Sequence, residues 1–160
     1  MLVIRNDSFA NYTNIEGRFW KKSDESGLYR IQLSKKNVAT NLKYNLLGFK
    51  DYIETELKDK MYVDVYKEEI NSAYTVKTFC FYQNGKYQIN ERIVNNTVYL
   101  FPDLETKKKI GFHIYNDNAI EITYDKFINE VEEIWEEREP IKGFKFDVEP
   151  ICYIRKNGNI

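Results

Sequence analysis

The chain has 160 residues, 42% of them hydrophobic and 31% charged, with a formal net charge of −1. That length suits one domain with a full core, expected over residues 1–160, and the composition excludes wholesale disorder. A near-zero charge gives no global pull towards nucleic acid or an anionic membrane, and no apolar run approaches the roughly 18 residues of a membrane span.

Taken in order, Leu2–Ile4 reads as a short strand, and the polar turn after it gives no signal-peptide pattern, so a cytoplasmic protein is expected. Residues 6–14 are polar and turn-rich, with Phe9 and Tyr12 as anchors. Gly17–Lys21 and Leu28–Leu33 form a hairpin around Ser23-Asp24-Glu25-Ser26-Gly27, which is strong turn chemistry. From Asn37 to Lys58, Val38, Leu42, Leu46, Phe49, Ile53 and Leu57 recur at helical spacing. Gly48 weakens that helix by about 1 kcal/mol, leaving Phe49–Leu57 as its firmer half.

Met61–Tyr66 alternates as a strand. Tyr74–Tyr82 and Lys86–Ile93 flank Asn84-Gly85, the strongest short hairpin signal because a type I′ turn needs positive φ at both positions. That register sets Tyr82 opposite Tyr87, Cys80 opposite Ile89 and Val76 opposite Ile93, with Phe79 and Phe81 on the opposite face, so the hairpin is expected to be central and covered on both sides. Thr97–Phe101 is a strand and Pro102–Lys109 a polar connection. Ile110–Tyr115 and Ala119–Ile122 flank Asn116-Asp117-Asn118 as a second hairpin. Phe144–Val148 and Ile151–Ile154 are terminal strands, and the tail from Arg155 to Ile160 is expected to fray. No internal repeat, linker or low-complexity block is read.

The most legible element is Thr123–Pro140. Tyr124, Phe127, Ile128, Val131, Ile134 and Trp135 fall on one face of a helix, with Thr123 as N-cap and Pro140 as its stop. The opposite face is acidic, carrying Glu130, Glu133, Glu136, Glu137 and Glu139. Acids near a helix C-terminus are unfavourable, so this crowding asks for a solvated face or a basic partner. The expected fold is α+β: a single, mainly antiparallel sheet, flat or strongly curved, with two amphipathic helices packed on it.

The search for chemistry is mostly negative. His113 is the single histidine, and no triad can be assembled around it. Cys80 and Cys152 lack metal spacing and read as free thiols. With only these soft ligands zinc is not expected, and no Gly-rich phosphate loop indicates a cofactor. Pro102-Asp103-Leu104-Glu105-Thr106-Lys107 resembles the PD…ExK signature of metal-dependent nucleases but packs its acids into one turn. Asn116-Asp117-Asn118 with Glu121 lacks the glycine and frame of a calcium loop. No catalytic or metal residue is therefore assigned. A hydrolase would have to draw on His113, Asp147, Glu149 and Glu121, clustered and buried. A single-stranded nucleic-acid platform would combine Lys107-Lys108-Lys109 with exposed aromatics.

The run from Ile120 to Phe127, leading into Trp135-Glu136-Glu137-Arg138-Glu139, resembles the small immunity proteins that accompany bacterial polymorphic toxins of the contact-dependent inhibition type. The Ile, Asn, Lys and Tyr-rich α+β build is similar too. The resemblance implies a cytoplasmic, non-catalytic inhibitor that caps a cognate protein toxin. Were that toxin a nuclease, its basic surface would be steered and held by the acidic residues. A small metal-dependent hydrolase and a single-stranded nucleic-acid-binding domain are the alternatives.

Overall fold

The computed structural model describes residues 2–37 and 41–156. The expected helix start at Val38, the side chain of Leu42 and residues 157–160 of the expected tail lie outside them. Among the described residues there are eleven strands and three α-helices. The strand pairing is antiparallel, and the class is α+β, as expected. No helix among them is long and apolar enough to cross a membrane. The chain divides into two compact units, one built from Asp7–Thr75 with Glu139–Val148, the other from Met1–Asn6, Val76–Arg138 and Glu149–Ile160.

The first unit contains β1 (Asp7–Tyr12), β2 (Ile15–Lys21), β3 (Tyr29–Ser34), α1 (Asn41–Leu46), β4 (Lys50–Asp51) and β5 (Lys60–Val65), in the sheet order β4-β5-β3-β2-β1. The expected hairpin is β2 with β3, where Phe19 pairs with Ile31. Residues 7–12, expected to be a turn-rich stretch, are instead a strand. Its link to β2 is the two-residue loop Thr13-Asn14, with φ of 50° and 61°, the backbone of a type I′ hairpin turn. The alternation expected for residues 61–66 holds: Met61, Val63 and Val65 are buried while Tyr62 and Asp64 point outward. These side chains join Ala10, Phe19, Ile31 and Phe49 in one core. Phe144 seals it, edge-on to Phe19 and Tyr29 at ring centroids of 5.5 and 5.3 Å.

The helix expected over Phe49–Leu57 does not form. Gly48 takes φ 91° and redirects the chain, so Phe49 is buried while Ile53 is 98% exposed. Lys50–Asp51 adds a short edge strand to β5, and only Thr55–Leu57 makes a 3-10 turn.

β6 (Ser72–Tyr82) begins in the first unit and runs into the second. The second unit then has β7 (Gly85–Ile89), β8 (Thr97–Pro102), α2 (Leu104–Ile110), β9 (Ile120–Thr123), α3 (Tyr124–Glu130), β10 (Glu133–Pro140) and β11 (Ile151–Arg155). Its sheet order is β9-β8-β7-β6, with β10 pairing β6 and β11 pairing β10. The core holds Cys80, Tyr82, Tyr87, Ile89, Val98, Leu100, Ile122, Phe127, Val131 and Ile134. Residues 2–4 are not a strand. Ile4 is buried in this core with Leu2 packed against it, and the chain is pinned where the Arg5 N–H donates to Thr78 Oγ1 at 3.0 Å.

The β6–β7 hairpin forms one step earlier than Asn84-Gly85 suggests. Gln83 and Asn84 occupy the turn, with φ 46° and 61°, and Tyr82 pairs with Gly85 and Cys80 with Tyr87. This two-residue slip leaves every side chain on its expected face, since the strand period is two. Gly85 is needed for space instead: a Cβ there would lie 2.5 Å from Thr106 Cγ2.

Thr106 belongs to α2, where a polar connection was expected. Asp103 caps this helix by accepting from the Thr106 N–H at 2.8 Å. Gly111 closes it in the left-handed region at φ 77°, and Lys107, Lys108 and Lys109 sit in the last turn, where the helix dipole favours cations. The second expected hairpin is thereby lost. Ile110 ends α2, residues 111–119 are loop, and only Ile120–Thr123 is strand. Phe144–Val148 is not a strand either; Ile151–Arg155 is.

Candidate functional site

The largest departure from expectation falls on Thr123–Pro140. Thr123 does cap a helix, accepting from the Lys126 N–H at 3.3 Å, but that helix stops at Glu130. Val131 leaves it at ψ 122°, and Glu133–Pro140 continues as β10. The acidic helix face is therefore replaced by a strand whose side chains alternate. Ile134, Glu136 and Arg138 point inward, while Glu133, Trp135 and Glu137 point outward.

Inward, Glu136 is 5% exposed. Its carboxylate is gripped by Arg5, with Nε at 2.7 Å from Oε1 and Nη2 at 2.8 Å from Oε2, and by Arg138 Nη2 at 3.2 Å. Burial works to raise the Glu136 carboxyl, but hydrogen bonds and charge from Arg5 and then Arg138 outweigh it and hold it below its ordinary value. The bidentate fork is the geometry in which a guanidinium best replaces lost hydration. Glu136 is thus a structural anchor and not part of a surface.

Outward, the sheet presents a row of aromatic side chains. Phe101 on β8 lies opposite Gln88 on β7, and Gln88 lies opposite Phe79 on β6. Phe79 stacks on Trp135 at 6.1 Å, and Trp135 meets Tyr153 of β11 at 6.3 Å. Phe101 is 38% exposed, Tyr153 47% and Ile151 52%. Lys86 Nζ sits 4.3 Å above the Phe79 ring and also pairs with Glu137, whose Oε1 accepts from the Trp135 indole N–H at 3.1 Å. Lys156 Nζ lies 4.7 Å from the Tyr153 ring.

A bulge shapes one edge of this face. Trp135 pairs with Tyr153 but Ile134 pairs with Arg155, so β11 carries one extra residue there. An extra residue re-aims the side chain that follows. Arg155 consequently turns into the core at 6% exposure. It donates to the carbonyls of Ile128 and Val131, the latter at 3.3 Å, at the end of α3.

The five glutamates singled out by sequence do not share one face. Glu133 and Glu137 flank Trp135, Glu136 is internal, and Glu139 is exposed near the end of β10. Glu130 is at the exposed end of α3, where its carboxylate accepts from the Tyr82 hydroxyl at 3.1 Å. Phe79, with Phe81, was expected on a covered second face of the hairpin, and both are instead half-buried; Phe101 and Tyr153 were not singled out individually. Their outward parity, read across the expected strands, was the signal available.

The residues a hydrolase would need, His113, Glu121, Asp147 and Glu149, are all exposed. His113 lies in the 111–119 loop, with Nδ1 accepting from the Tyr115 N–H at 3.3 Å. Among the described residues no group of three His, Cys, Asp or Glu is placed to hold a metal ion. Cys80 and Cys152 are free thiols, and burial pushes the Cys80 thiol up to about 12. Asp103, from the nuclease-like hexapeptide, is the cap of α2. No protein-family model, curated protein or solved structure matches the chain.

Proposed function

We propose that this protein is a non-catalytic, protein-binding inhibitor of the toxin–immunity type. It docks on a cognate basic toxin through the outward face of the second unit's sheet. The observation that carries the reading is the row Phe79, Trp135 and Tyr153 on a solvent-facing sheet, with Glu133 and Glu137 on either side of Trp135. Trp and Tyr are enriched among the few residues that dominate interface energies, and here Trp135 is half-buried and Tyr153 exposed, while flanking carboxylates set partner choice and association rate. The carboxylates of this face are Glu133 and Glu137 on the strand, with Glu137 already paired to Lys86, and Glu136 has no direct part in it.

Single-stranded nucleic acid draws on the same aromatics but fits the charges less well. Such sites need a basic track beside the rings. Here Lys77, Lys86 and Lys156 are offset by Glu121, Glu133 and Glu137, and Lys86 is already bound to Glu137.

The test is co-purification from the native host at low and high salt, with wild type, Trp135→Ala, and the double reversal Glu133→Lys with Glu137→Lys. A basic protein is expected to be retained by wild type at low salt and released as salt rises. Both variants should lose it, and that protein should arrest growth when expressed without the wild-type chain. Retention by both variants, or a retained protein whose expression is harmless, removes the proposal.

A further inference from the structure

The two units are built on one plan, taken each by itself. In the first, Phe9 pairs with Arg18, Ala10 with Gly17, Asn11 with Glu16 and Tyr12 with Ile15. In the second, Phe79 pairs with Gln88, Cys80 with Tyr87, Phe81 with Lys86 and Tyr82 with Gly85. Both hairpins close on two residues of positive φ, Thr13-Asn14 and Gln83-Asn84. A third strand then pairs through Phe19–Ile31 in one and Ile89–Leu100 in the other. A short helix, α1 or α2, intervenes. A fourth strand returns antiparallel, through Tyr29–Val65, Arg30–Asp64 and Ile31–Val63 in one unit and Val98–Ile122, Tyr99–Glu121 and Leu100–Ile120 in the other. The inward residues correspond in kind: Ala10 and Cys80, Ile31 and Leu100, and Val65 and Ile122 are all buried.

Of the outward residues, Phe9 with Phe79 and Asp64 with Glu121 correspond in kind, and the others do not. Asn11, Arg30 and Gln32 in the first unit stand where Phe81, Tyr99 and Phe101 stand in the second. One unit thus forms the same four strands without these rings, so the sheet itself does not require them. The pair Arg30–Asp64 is informative. Arg30 Nε and Nη2 grip the Asp64 carboxylate at 2.8 and 2.9 Å, with the guanidinium carbon 3.9 Å from the Tyr62 ring. At the equivalent positions the second unit keeps the carboxylate, Glu121, but replaces the arginine by Tyr99. Glu121 is exposed, and its carboxylate has no hydrogen-bond or ion-pair partner among the described residues.

We infer that Tyr99 and Glu121, with Phe101 beside them, form a seat for a guanidinium supplied from outside, an arginine of the basic protein partner. It would pair with the Glu121 carboxylate as Arg30 pairs with Asp64 in the first unit, while Tyr99, which stands at the position of Arg30, supplies the ring. Residues directly opposite on an antiparallel pair share a face, so the Glu121 carboxylate and the Tyr99 ring offer an arginine both a bidentate acceptor and a cation–π surface. This rests on the docking reading above and names the contact within it.

The probe is a fluorescently labelled nona-arginine peptide, titrated by anisotropy at low salt, with an oligothymidylate of similar length as the second probe. Tyr99→Arg supplies the missing cation within the chain and Glu121→Gln removes the acceptor. Each is expected to weaken peptide binding tenfold or more, while Asp147→Asn leaves it unchanged. Equal binding by wild type and Glu121→Gln overturns the seat, as does a preference for oligothymidylate. Tyr99→Arg is read only if its thermal midpoint stays within a few degrees of wild type; Glu121→Gln, an exposed and isosteric change, decides otherwise. If the host's basic protein still co-purifies with Glu121→Gln, the seat fails and the docking reading stands. If wild type binds the peptide at the seat but retains no basic protein, the docking reading fails and the seat stands.

Discussion

Replacing Glu136 by glutamine separates a strand from a helix at residues 133–140. On an exposed acidic helix, removing one charge near the C-terminus would be neutral or slightly stabilising. On β10 the same change removes a charged hydrogen-bond acceptor from two guanidiniums. The side chains are 6% exposed for Glu136, 20% for Arg5 and 16% for Arg138. Breaking a buried ion pair from one side costs about 3–5 kcal/mol, and the partial water access of the arginines places this one near ~3 kcal/mol. For a chain of this size that lowers Tm by about 6–12 °C. Urea unfolding of Glu136→Gln against wild type, with exposed Glu139→Gln as a control expected within about 0.5 kcal/mol, measures it. The pH dependence has a definite sign. The folded carboxyl is held below its ordinary value of 4.5, so its stabilisation is complete above that value and is lost as pH falls through the folded one. The gap between wild type and Glu136→Gln should therefore stay constant from neutral pH to about 5 and close below it. A Glu136→Gln protein within about 0.5 kcal/mol of wild type at neutral pH refutes the buried network.

Three further outcomes follow from the second unit. Gly85→Ala should destabilise by about 1–3 kcal/mol in denaturant unfolding, because the new Cβ meets Thr106 and must displace α2; Gly85→Ala paired with Thr106→Ser should recover part of that loss. Cys80, its thiol raised to about 12 by burial, should react with a disulfide reagent only as fast as the unit opens, and a burst of Cys80 labelling in the native protein would contradict its placement. Arg155→Met keeps the aliphatic stem but leaves the Ile128 and Val131 carbonyls without their donor, which should cost about 1–3 kcal/mol, measured by thermal unfolding.

What the sequence disclosed depends on where charge sits relative to the core. β5 was legible because Met61, Val63 and Val65 are apolar inside and Tyr62 and Asp64 polar outside. β10 was not, because two of its three inward positions, Glu136 and Arg138, are an ion pair. Their burial hides the period of two, and Ile134 with Trp135 then mimics a helix stripe continuing from Phe127 and Val131. The unfavourable crowding of acids at the supposed C-terminus was the available warning. α2 was missed because it buries only Thr106 and so carries no stripe, although Asp103 and Gly111 mark both of its ends. The recurrence of one plan in two units was invisible for a related reason. The hairpins Phe9–Arg18 and Phe79–Gln88 share Phe, Tyr and Asn at matching places, but the inward residues keep only their apolar kind, and of the outward ones only Phe9 with Phe79 and Asp64 with Glu121 correspond. Glu133 and Glu137 of the candidate surface were legible, but not the lysines that offset them; its aromatic row was not, since it joins residues from β6, β8, β10 and β11 that only pairing brings into line.

Trp135 lies at the centre of the proposed surface and reports on it directly. In a Trp20→Phe variant it is the sole tryptophan, as the chain has two. Titrating this variant with the basic protein that co-purifies at low salt, while recording emission and acrylamide quenching, asks whether the outward face is covered. Docking there is expected to shift the emission to the blue and to shield the indole from the quencher at one-to-one stoichiometry. Stoichiometric binding with emission and quenching both unchanged would contradict the assignment of this face.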